Sequence, residues 1–588
     1  MTFYEVVIIM LFNKEELEKI RAAKKKWEEE VVQKTLKRLG AEESPNKYYT
    51  PADLPEDFDF LKKVGFPGQY PFATGRYPVI QQVSAWGKGS TAGVKTKLKR
   101  AGRYSGFGTP ENTRDHYIET REKGFRVGGP NLAFDLPTQT GRDSDDEFAE
   151  GEVGKVGVSV DTLRDFEVIY EAFTGDMDLD KIASNFTING SANIIIAMLC
   201  ALAEKRGIPL SALRGTPQND ILKEFVARGT QIFPVKPSMR MTRDSITFCV
   251  EHMPNFNIMS ICGYHMREFG ATRTQTIAFS IANAIAYYQL GIDAGLDVDK
   301  IGRQITWLNF GGGMEALKEY AVRRAAKIVW AKVMRERFKS SDPRNWIIRE
   351  LGGMLTGYWT ATKQRPLNNL TRTVIGGVFS AMQGDQPLLV EPPYDEALGL
   401  GHSLEAQQLN EDASRIITEE CKLAEVLDPF AGSYYIESLT DQYEKEIWEI
   451  IKKIDAMGGA AAAVESGWMK EEIMRSSYEY QRAVDEGKEV RVGMNKYTDA
   501  EEIEVTTPRT LPYDPEKRMG AEKKQVEKLK KVKKERDNEK VQACLKRIKE
   551  AAQDESVNLI PLFIEAVKEY TSEGEICGAL KEVFGEAM

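Results

Sequence analysis

The chain has 588 residues, of which 42% are hydrophobic and 29% are charged, the balance of an ordinary globular protein. Its formal net charge of −9 argues against a nucleic-acid binder, whose footprint is a basic domain. The six cysteines show no metal-ligand spacing, which favours reduced thiols in a cytoplasm. The apolar run at residues 3–12 is too short to span a bilayer and lacks the basic start of a signal peptide. We therefore expect a cytoplasmic protein that binds neither membranes nor nucleic acid.

The first part of the chain predicts a helical extension and then an extended segment. Residues 14–38 are highly charged, with apolar residues near helical spacing, and form one predicted helix. Residues 45–78 are rich in proline and too irregular for a compact element. We expect an N-terminal extension over 1–45 and a segment leading into the next domain over 46–123.

From residue 124 onward, short apolar runs alternate with helical patterns. The predicted strands are 127–135, 182–189, 230–234, 257–263 and 306–310, and the predicted helices are 160–173, 193–206, 218–227, 241–252, 272–294 and 314–338. This alternation without hairpin signals is typical of an α/β fold with a parallel sheet, and the number of units favours a (β/α)8 TIM barrel over 124–441. The region 442–588 is rich in helical patterns, and we interpret its charged run at 516–539 as a solvated helix.

Small polar residues occupy one face of two predicted strands. Asn185, Thr187 and Asn189 alternate along one strand, and Ser260 and Cys262 share a face of another. Inward positions of such a barrel are normally filled by Val, Ile and Leu. Polar residues there would leave a hydrated channel for a thin substrate. The alternative is that these residues face helices and bond to backbone.

Three polar residues near the ends of predicted strands are candidates for chemistry. Arg228 stands at the end of a predicted helix, and an arginine binds a carboxylate through two parallel hydrogen bonds and stays charged when buried. The alternative is a surface arginine at a helix end, where cations are favoured. His265 and Gln218 lie close to strand-like runs, and the carboxyl end of barrel strands is the catalytic face. A lone histidine is otherwise structural.

The ordered motifs from about residue 49 to the C-terminus resemble the methylmalonyl-CoA mutase family, the acyl-CoA mutases that depend on adenosylcobalamin. The segments that carry the resemblance are Gly-Thr-Pro-Gln-Asn-Asp-Ile-Leu-Lys-Glu-Phe at 215–225, Gly-Tyr-His-Met at 263–266, Phe-Asp-Leu-Pro-Thr at 134–138, Gln-Gly at 383–384 and Asp-Pro-Phe-Ala-Gly-Ser at 428–433. The resemblance implies a barrel threaded by coenzyme A and a radical rearrangement of the acyl carbon skeleton.

The resemblance also implies roles on the substrate side. Arg228 would grip a free carboxylate of the substrate, a position where relatives acting on isobutyryl or hydroxyisobutyryl groups carry glutamine. His265 would donate a hydrogen bond to the thioester carbonyl. Gln218 would contact the same substrate, and Tyr264 would line the cavity. Thr187, Asn189 and Ser260 would then line the coenzyme A channel.

On the cofactor side, the resemblance implies that Tyr104 presses toward the adenosyl group and that Glu437 contacts the adenosyl ribose. Gln383 and Gly384 match a family segment that would also lie on the cofactor side. The family holds cobalt through Asp-x-His-x-x-Gly, and none of the four histidines of this chain has that context. We therefore expect no metal ligand and no cobalamin-binding domain in the chain. A separate small cobalamin-binding subunit would deliver adenosylcobalamin, in a hetero-oligomer.

Two segments depart from the family pattern and leave the substrate open. Residues 81–100 form a Gly- and Lys-rich insertion, and residues 385–393 replace polar, histidine-bearing sequence. The expected substrate is a carboxylate-bearing acyl-CoA of the methylmalonyl-CoA/succinyl-CoA type. The alternatives are a mutase for ethylmalonyl-, alkyl- or arylsuccinyl- or 2-hydroxyisobutyryl-CoA, or a non-catalytic scaffold of the same fold.

Overall fold

The computed structural model describes residues 14–39, 49–55, 58–76, 105–122, 128–350, 358–383, 394, 404–423, 426–498 and 514–587. Tyr104, Gly384 and the departing segments 81–100 and 385–393 lie outside these residues. The described chain is mainly helical, with short parallel strands between the helices. Within the described ranges, no helix is long and apolar enough to cross a membrane.

The strands of the described residues all pair in parallel, as the sequence predicts. They are β1 Asn131–Ala133, β2 Ser184–Thr187, β3 Gly215–Pro217, β4 Met259–Ile261 and β5 Ile305–Trp307. The order β1-β2-β3 forms one sheet and β4-β5 a second. Two backbone bonds connect the sheets, from Asn257 N to Gly215 O at 2.9 Å and from Ser260 N to Gln218 O at 3.0 Å. The strands therefore stand side by side in chain order.

Helices precede, separate and follow these strands. Before β1 they are α1 Lys14–Trp27, α2 Gln33–Leu39, α3 Phe60–Lys63 and α4 Pro110–Glu122. Between β1 and β5 they are α5 Leu136–Gln139, α6 Leu163–Tyr170, α7 Ala192–Lys205, α8 Ile221–Lys223, α9 Val235–His252, α10 Tyr264–Glu268, α11 Arg273–Asp293 and α12 Val298–Gln304. After β5 they are α13 Ala316–Lys332, α14 Asn368–Gln383, α15 Leu404–Arg415, α16 Tyr434–Ala456, α17 Ala460–Glu465, α18 Trp468–Asp485, α19 Pro515–Glu535, α20 Asn538–Ala552, α21 Ile560–Lys568 and α22 Glu573–Phe584.

One predicted strand is wrong. Residues 230–234 form an irregular connection before α9, and the strand of this unit is β3, fifteen residues earlier. Ile232 and Phe233 are buried in the core, so their apolar character reports packing and not a strand. β3 contains Gly and Pro, which are depleted in strands, so its sequence has a low strand propensity and does not predict a strand. Gly215 is required there, because a Cβ at this position would lie 1.9 Å from Ser184 O of the neighbouring strand.

The C-terminal helices complete the apolar core instead of standing apart from it. α7 is apolar on every side and buried, as expected for a helix covered on all faces, and α21 packs against it. α16 packs against both α11 and α13. The charged helix predicted at 516–539 exists as α19, but one of its faces is not solvated. Ala521, Gln525 and Leu529 are buried, and Lys528 Nζ lies 2.9 Å from Asp165 Oδ1.

Candidate active site

The polar residues predicted for the site meet at the carboxyl ends of β3 and β4. Gln218 directly follows β3, and His265 lies on α10 after β4. Since parallel strands place their carboxyl ends at one edge, two side chains that follow neighbouring strands come together there. The structure places Gln218 and His265 on either side of Cys262, whose Sγ lies 3.8 Å from Gln218 Nε2 and 3.3 Å from His265 Nδ1.

A buried hydrogen-bond network surrounds the Gln218 amide. Its Oε1 accepts from Asn189 Nδ2 at 2.8 Å and from Lys223 Nζ at 2.5 Å. Lys223 also pairs with Glu224, and its side chain is 0% exposed. Sequence reasoning named Gln218 and Asn189 but missed Lys223. In the sequence, Lys223 is marked only by its position after two apolar residues in a short helical turn.

Arg228 ends a π-helical turn, Glu224–Arg228, with Glu224 at its start. Glu224 Oε2 accepts from Thr230 N at 3.1 Å and from Thr230 Oγ1 at 2.6 Å. Burial raises the pKa of Glu224, but the cations Lys223 and Arg228 outweigh burial and leave the pKa lowered. Arg228 NH1 lies 3.7 Å from Glu224 Oε1, too far for a hydrogen bond. Among the described residues, this buried NH1 has no hydrogen-bond partner.

His265 is half-buried and lies against Tyr264, with ring centroids 3.9 Å apart and ring planes tilted by 33°. Its Nδ1 lies 3.3 Å from Cys262 Sγ. Burial lowers the pKa of His265 well below its ordinary value, and the positive charges of Lys223 and Arg228 lower it further. The imidazole is therefore neutral at pH 7, with one hydrogen-bond donor and one acceptor.

Asp220 anchors this arrangement to three neighbouring elements. Its Oδ2 accepts from Cys262 N at 2.8 Å, its Oδ1 accepts from Tyr287 OH at 2.7 Å, and its backbone N donates to Asn189 Oδ1 at 2.9 Å. These bonds join the ends of β2, β3 and β4 to α11. Burial raises the pKa of Asp220, although the nearby Lys223 opposes the rise. Sequence analysis gave Asp220 and Tyr287 no role.

Small polar side chains follow the strands beneath this site. Asn185 and Thr187 are half-buried, whereas Phe186 between them is buried against core aromatics. Asn185 is paired in register with Thr216 of β3. Ser260 Oγ is buried without a hydrogen-bond partner in the described part of the chain. The faces of β2 and β4 that the sequence singled out therefore carry polar groups, half-buried on β2 and buried on β4.

Glu437 lies on the first turn of α16 in a buried charge cluster. Its Oε1 accepts from Gly432 N at 2.9 Å and from Arg324 NH2 at 2.6 Å. Arg324 also pairs with Asp428. Glu437 is 2% exposed, so this network fixes the position of its carboxylate.

Gln383 joins the same cluster from the end of α14. Its Nε2 donates to the backbone oxygen of Tyr320 at 3.0 Å, and Tyr320 OH donates to Asp428 Oδ1 at 2.6 Å. The two described residues predicted for the cofactor side, Gln383 and Glu437, are thus brought together around α13. Sequence analysis missed Arg324, which holds both carboxylates of this cluster.

Comparisons with known proteins identify the family of the chain. The family model described as methylmalonyl-CoA mutase matches residues 39–586. The 2-hydroxyisobutanoyl-CoA mutase large subunit of Aquincola tertiaricarbonis is 35% identical over 96% of this chain and 97% of that protein. Methylmalonyl-CoA mutase of Escherichia coli (strain K12) is 36% identical over 91% of this chain and 70% of that protein. The mitochondrial methylmalonyl-CoA mutase of Mus musculus is 34% identical, and this chain covers 66% of its length. The chain belongs to the methylmalonyl-CoA mutase family and is an isomerase.

Proposed function

We propose that the chain is the catalytic subunit of an adenosylcobalamin-dependent mutase for a carboxylate-bearing acyl-CoA of the methylmalonyl-CoA/succinyl-CoA type. The observation that carries the proposal is that Arg228 and His265 lie on two elements that pack together, the turn Glu224–Arg228 after β3 and α10 after β4. Arg228 presents a buried NH1 that lacks a hydrogen bond, and His265 presents a neutral ring beside it. A carboxylate and a thioester carbonyl are the two acceptors that such donors suit.

The proposal includes a closed (β/α)8 barrel over residues 124–441, preceded by 1–45 and 46–123 and followed by the helical region 442–588. Its support is the parallel order of β1 to β5 with helices between them. Two parallel bridges extend the order on either side, Ser105 with Leu132 and Trp307 with Glu350. The polar faces of β2 and β4 would line a channel in which Thr187, Asn189 and Ser260 contact coenzyme A.

Each described residue of the site then has a role in binding or orientation. Arg228 binds the free carboxylate, because the carboxylate of Glu224 is already held by Lys223 and Thr230. His265 donates to the thioester carbonyl, and a neutral imidazole can do so without adding charge to the pocket. Gln218 and Tyr264 hold the acyl group against His265. The surrounding buried network keeps water from the reacting carbons.

Adenosylcobalamin, when bound, supplies the radical that takes a hydrogen atom from the substrate. The residues that would hold its adenosyl group are Glu437 and Gln383, with Tyr104 and Gly384. Glu437 fits this role because Arg324 and Gly432 fix its carboxylate as an acceptor suited to ribose hydroxyl groups. We further propose that a small cobalamin-binding subunit completes a cytoplasmic hetero-oligomer, a proposal supported by a relative of nearly equal length that is named a large subunit.

A second candidate substrate is 2-hydroxyisobutyryl-CoA, which is also called 2-hydroxyisobutanoyl-CoA. It is favoured by the relative that matches 96% of this chain and carries that name. Arg228 favours the first candidate, because a carboxylate needs a cationic partner and a hydroxyl group does not.

The test is reconstitution of activity. The purified chain is combined with adenosylcobalamin and a small cobalamin-binding subunit from a split mutase of this family, and methylmalonyl-, ethylmalonyl- and 2-hydroxyisobutyryl-CoA are offered in turn. We expect isomerised dicarboxylic acyl-CoA and none from the chain without the small subunit. Because substrate and product have the same mass, the isomers are separated by chromatography before mass spectrometry. Turnover of 2-hydroxyisobutyryl-CoA alone would establish the second candidate. Binding of the substrates and the small subunit without any turnover would point to a non-catalytic scaffold.

A further inference from the structure

We infer that Cys262 is a positioning residue that fixes the tautomer of His265, so that the imidazole proton sits on Nε2. The inference rests on the proposed function for its consequence in catalysis, because a proton on Nε2 makes that atom the donor toward the substrate. The tautomer itself is a property of the resting chain. It follows from a chain of three contacts that begins at Gln218.

The first contact sets the orientation of the Gln218 amide. Gln218 Oε1 receives two donors, Asn189 Nδ2 at 2.8 Å and Lys223 Nζ at 2.5 Å. A lysine ammonium has no acceptor, so the amide nitrogen cannot face it. The amide must therefore turn its NH2 group the other way, toward Cys262. Gln218 Nε2 lies 3.8 Å from Cys262 Sγ, within the range of a sulfur hydrogen bond.

The second contact sets the direction of the Cys262 S–H bond. Gln218 Nε2 is a donor, so it occupies a lone pair of Sγ and leaves the thiol proton available. Burial raises the pKa of Cys262, so the thiol keeps this proton at neutral pH. The nearby ring nitrogen, His265 Nδ1 at 3.3 Å, accepts it. Cys262 thus accepts from the glutamine and donates to the histidine.

The third step concerns the His265 ring. A neutral imidazole carries one proton, and a ring whose Nδ1 accepts a hydrogen bond carries that proton on Nε2. A second proton, which would make the ring an imidazolium, is opposed by burial and by the positive charges of Lys223 and Arg228, all of which lower the pKa of His265. Lys223 therefore acts twice: its charge keeps the ring neutral, and its hydrogen bond to Gln218 begins the sequence of contacts that selects the tautomer.

The direct test reads the tautomer by 15N NMR of the full chain labelled at histidine, without substrate or cofactor. The chain has four histidines, and the His265→Asn variant identifies the signal of His265. We expect the Nε2–H tautomer in the unmodified chain, the same tautomer in Cys262→Ser, and a mixture of both tautomers in Cys262→Ala. A hydroxyl group can make the same donation as the thiol, whereas a methyl group cannot. Cys249→Ala, which removes a buried thiol of the apolar core on α9, is the matched control and should leave the signal unchanged.

Catalysis supplies the second readout. In the reconstituted enzyme, Cys262→Ala should lower kcat about fivefold, the effect of one neutral hydrogen bond, with KM little changed and with recovery in Cys262→Ser. The Nδ1–H tautomer in the unmodified chain, or an unaltered Nε2–H tautomer in Cys262→Ala, would overturn the inference. If Cys262→Ala does not fold, Cys262→Val fills the same space without a donor and replaces it. The NMR result stands whether or not the chain proves to be a mutase, so the two proposals fail separately.

Discussion

Replacing Arg228 by glutamine tests the proposed substrate class directly. Glutamine keeps a polar but shorter side chain and removes the positive charge and the two-pronged donor geometry. In the resting chain, Arg228 NH1 makes no hydrogen bond within the described residues, and its loss removes only a charge interaction with Glu224, 3.7 Å away, which Lys223 and Thr230 continue to hold. The larger part of the cost should therefore fall on the substrate complex.

The magnitude follows from the burial of the site. Leaving one partner of a buried charge pair alone typically costs about 3–5 kcal/mol. The Arg228 side chain is 20% exposed, so solvent screens part of this interaction and we expect a loss near the lower end. A loss of about 3 kcal/mol corresponds to about a hundredfold lower kcat/KM. Arg228→Lys keeps the positive charge but lacks the two-pronged guanidinium, so its kcat/KM should lie between those of Arg228→Gln and the unmodified chain.

The assay compares substrates with and without a free carboxylate in the reconstituted enzyme. The hundredfold loss should appear with methylmalonyl-CoA and be absent with 2-hydroxyisobutyryl-CoA. A substrate-independent check is available in the pKa of His265, which should rise in Arg228→Gln because one of the cations that lowers it is gone. An equal loss on both kinds of substrate would refute carboxylate binding by Arg228 and assign it a structural role.

Two further predictions concern stability. Lys223→Met should destabilise the fold by about 3–5 kcal/mol, because it leaves Glu224 charged and buried without its partner. The double variant Lys223→Met/Glu224→Gln should recover much of that loss. Urea denaturation measures both changes, and additive losses would contradict the pairing. Burial raises the pKa of Asp135 from 3.8 to about 6, so its contribution is fully present below pH 3.8 and is lost as the pH rises through 6. Relative to Asp135→Asn, the unmodified chain should therefore lose about 3 kcal/mol of unfolding free energy between pH 4 and pH 7, and a constant difference across that range would show that Asp135 stays ionised.

Long periodic elements and ordered motifs were predictable from sequence. The helix predicted at 272–294 is α11, Arg273–Asp293. The prediction succeeded because its helical periodicity of apolar residues extends over many turns. The parallel pairing and the family are confirmed as well, since both depend on patterns that extend over many residues. β3 was missed because three residues that include Gly and Pro carry almost no strand propensity. The neighbouring residues 230–234 have strand-like composition, but their apolar side chains serve the core.

The candidate site was predictable only where a side chain is chemically conspicuous. Gln218, Arg228 and His265 are distinctive in their motifs. By contrast, Lys223 and Glu224 read as an ordinary pair of neighbouring surface charges, and only the fold shows that both side chains are 0% exposed. Cys262 stood out only as one of the small residues on a strand face, because its importance depends on a 3.3 Å approach to His265 that spacing along a chain does not fix. Lys223, Glu224 and Cys262 differ from other residues of the same types in their burial and in the contacts of their side chains, which the sequence does not show.

The charges around Gln218 and His265 bear on the proposed binding of a substrate carboxylate. Lys223 and Arg228 supply two positive charges, and Glu224, with its lowered pKa, supplies one negative charge that Lys223 and Thr230 already satisfy. Asp220 is buried in the same network, where burial raises its pKa and the nearby Lys223 opposes the rise. Burial lowers the pKa of His265, and the positive charges of Lys223 and Arg228 lower it further, so the ring is neutral before substrate arrives. A substrate carboxylate at Arg228 would compensate the charge of that arginine, so binding should raise the pKa of His265 just as the loss of Arg228 does.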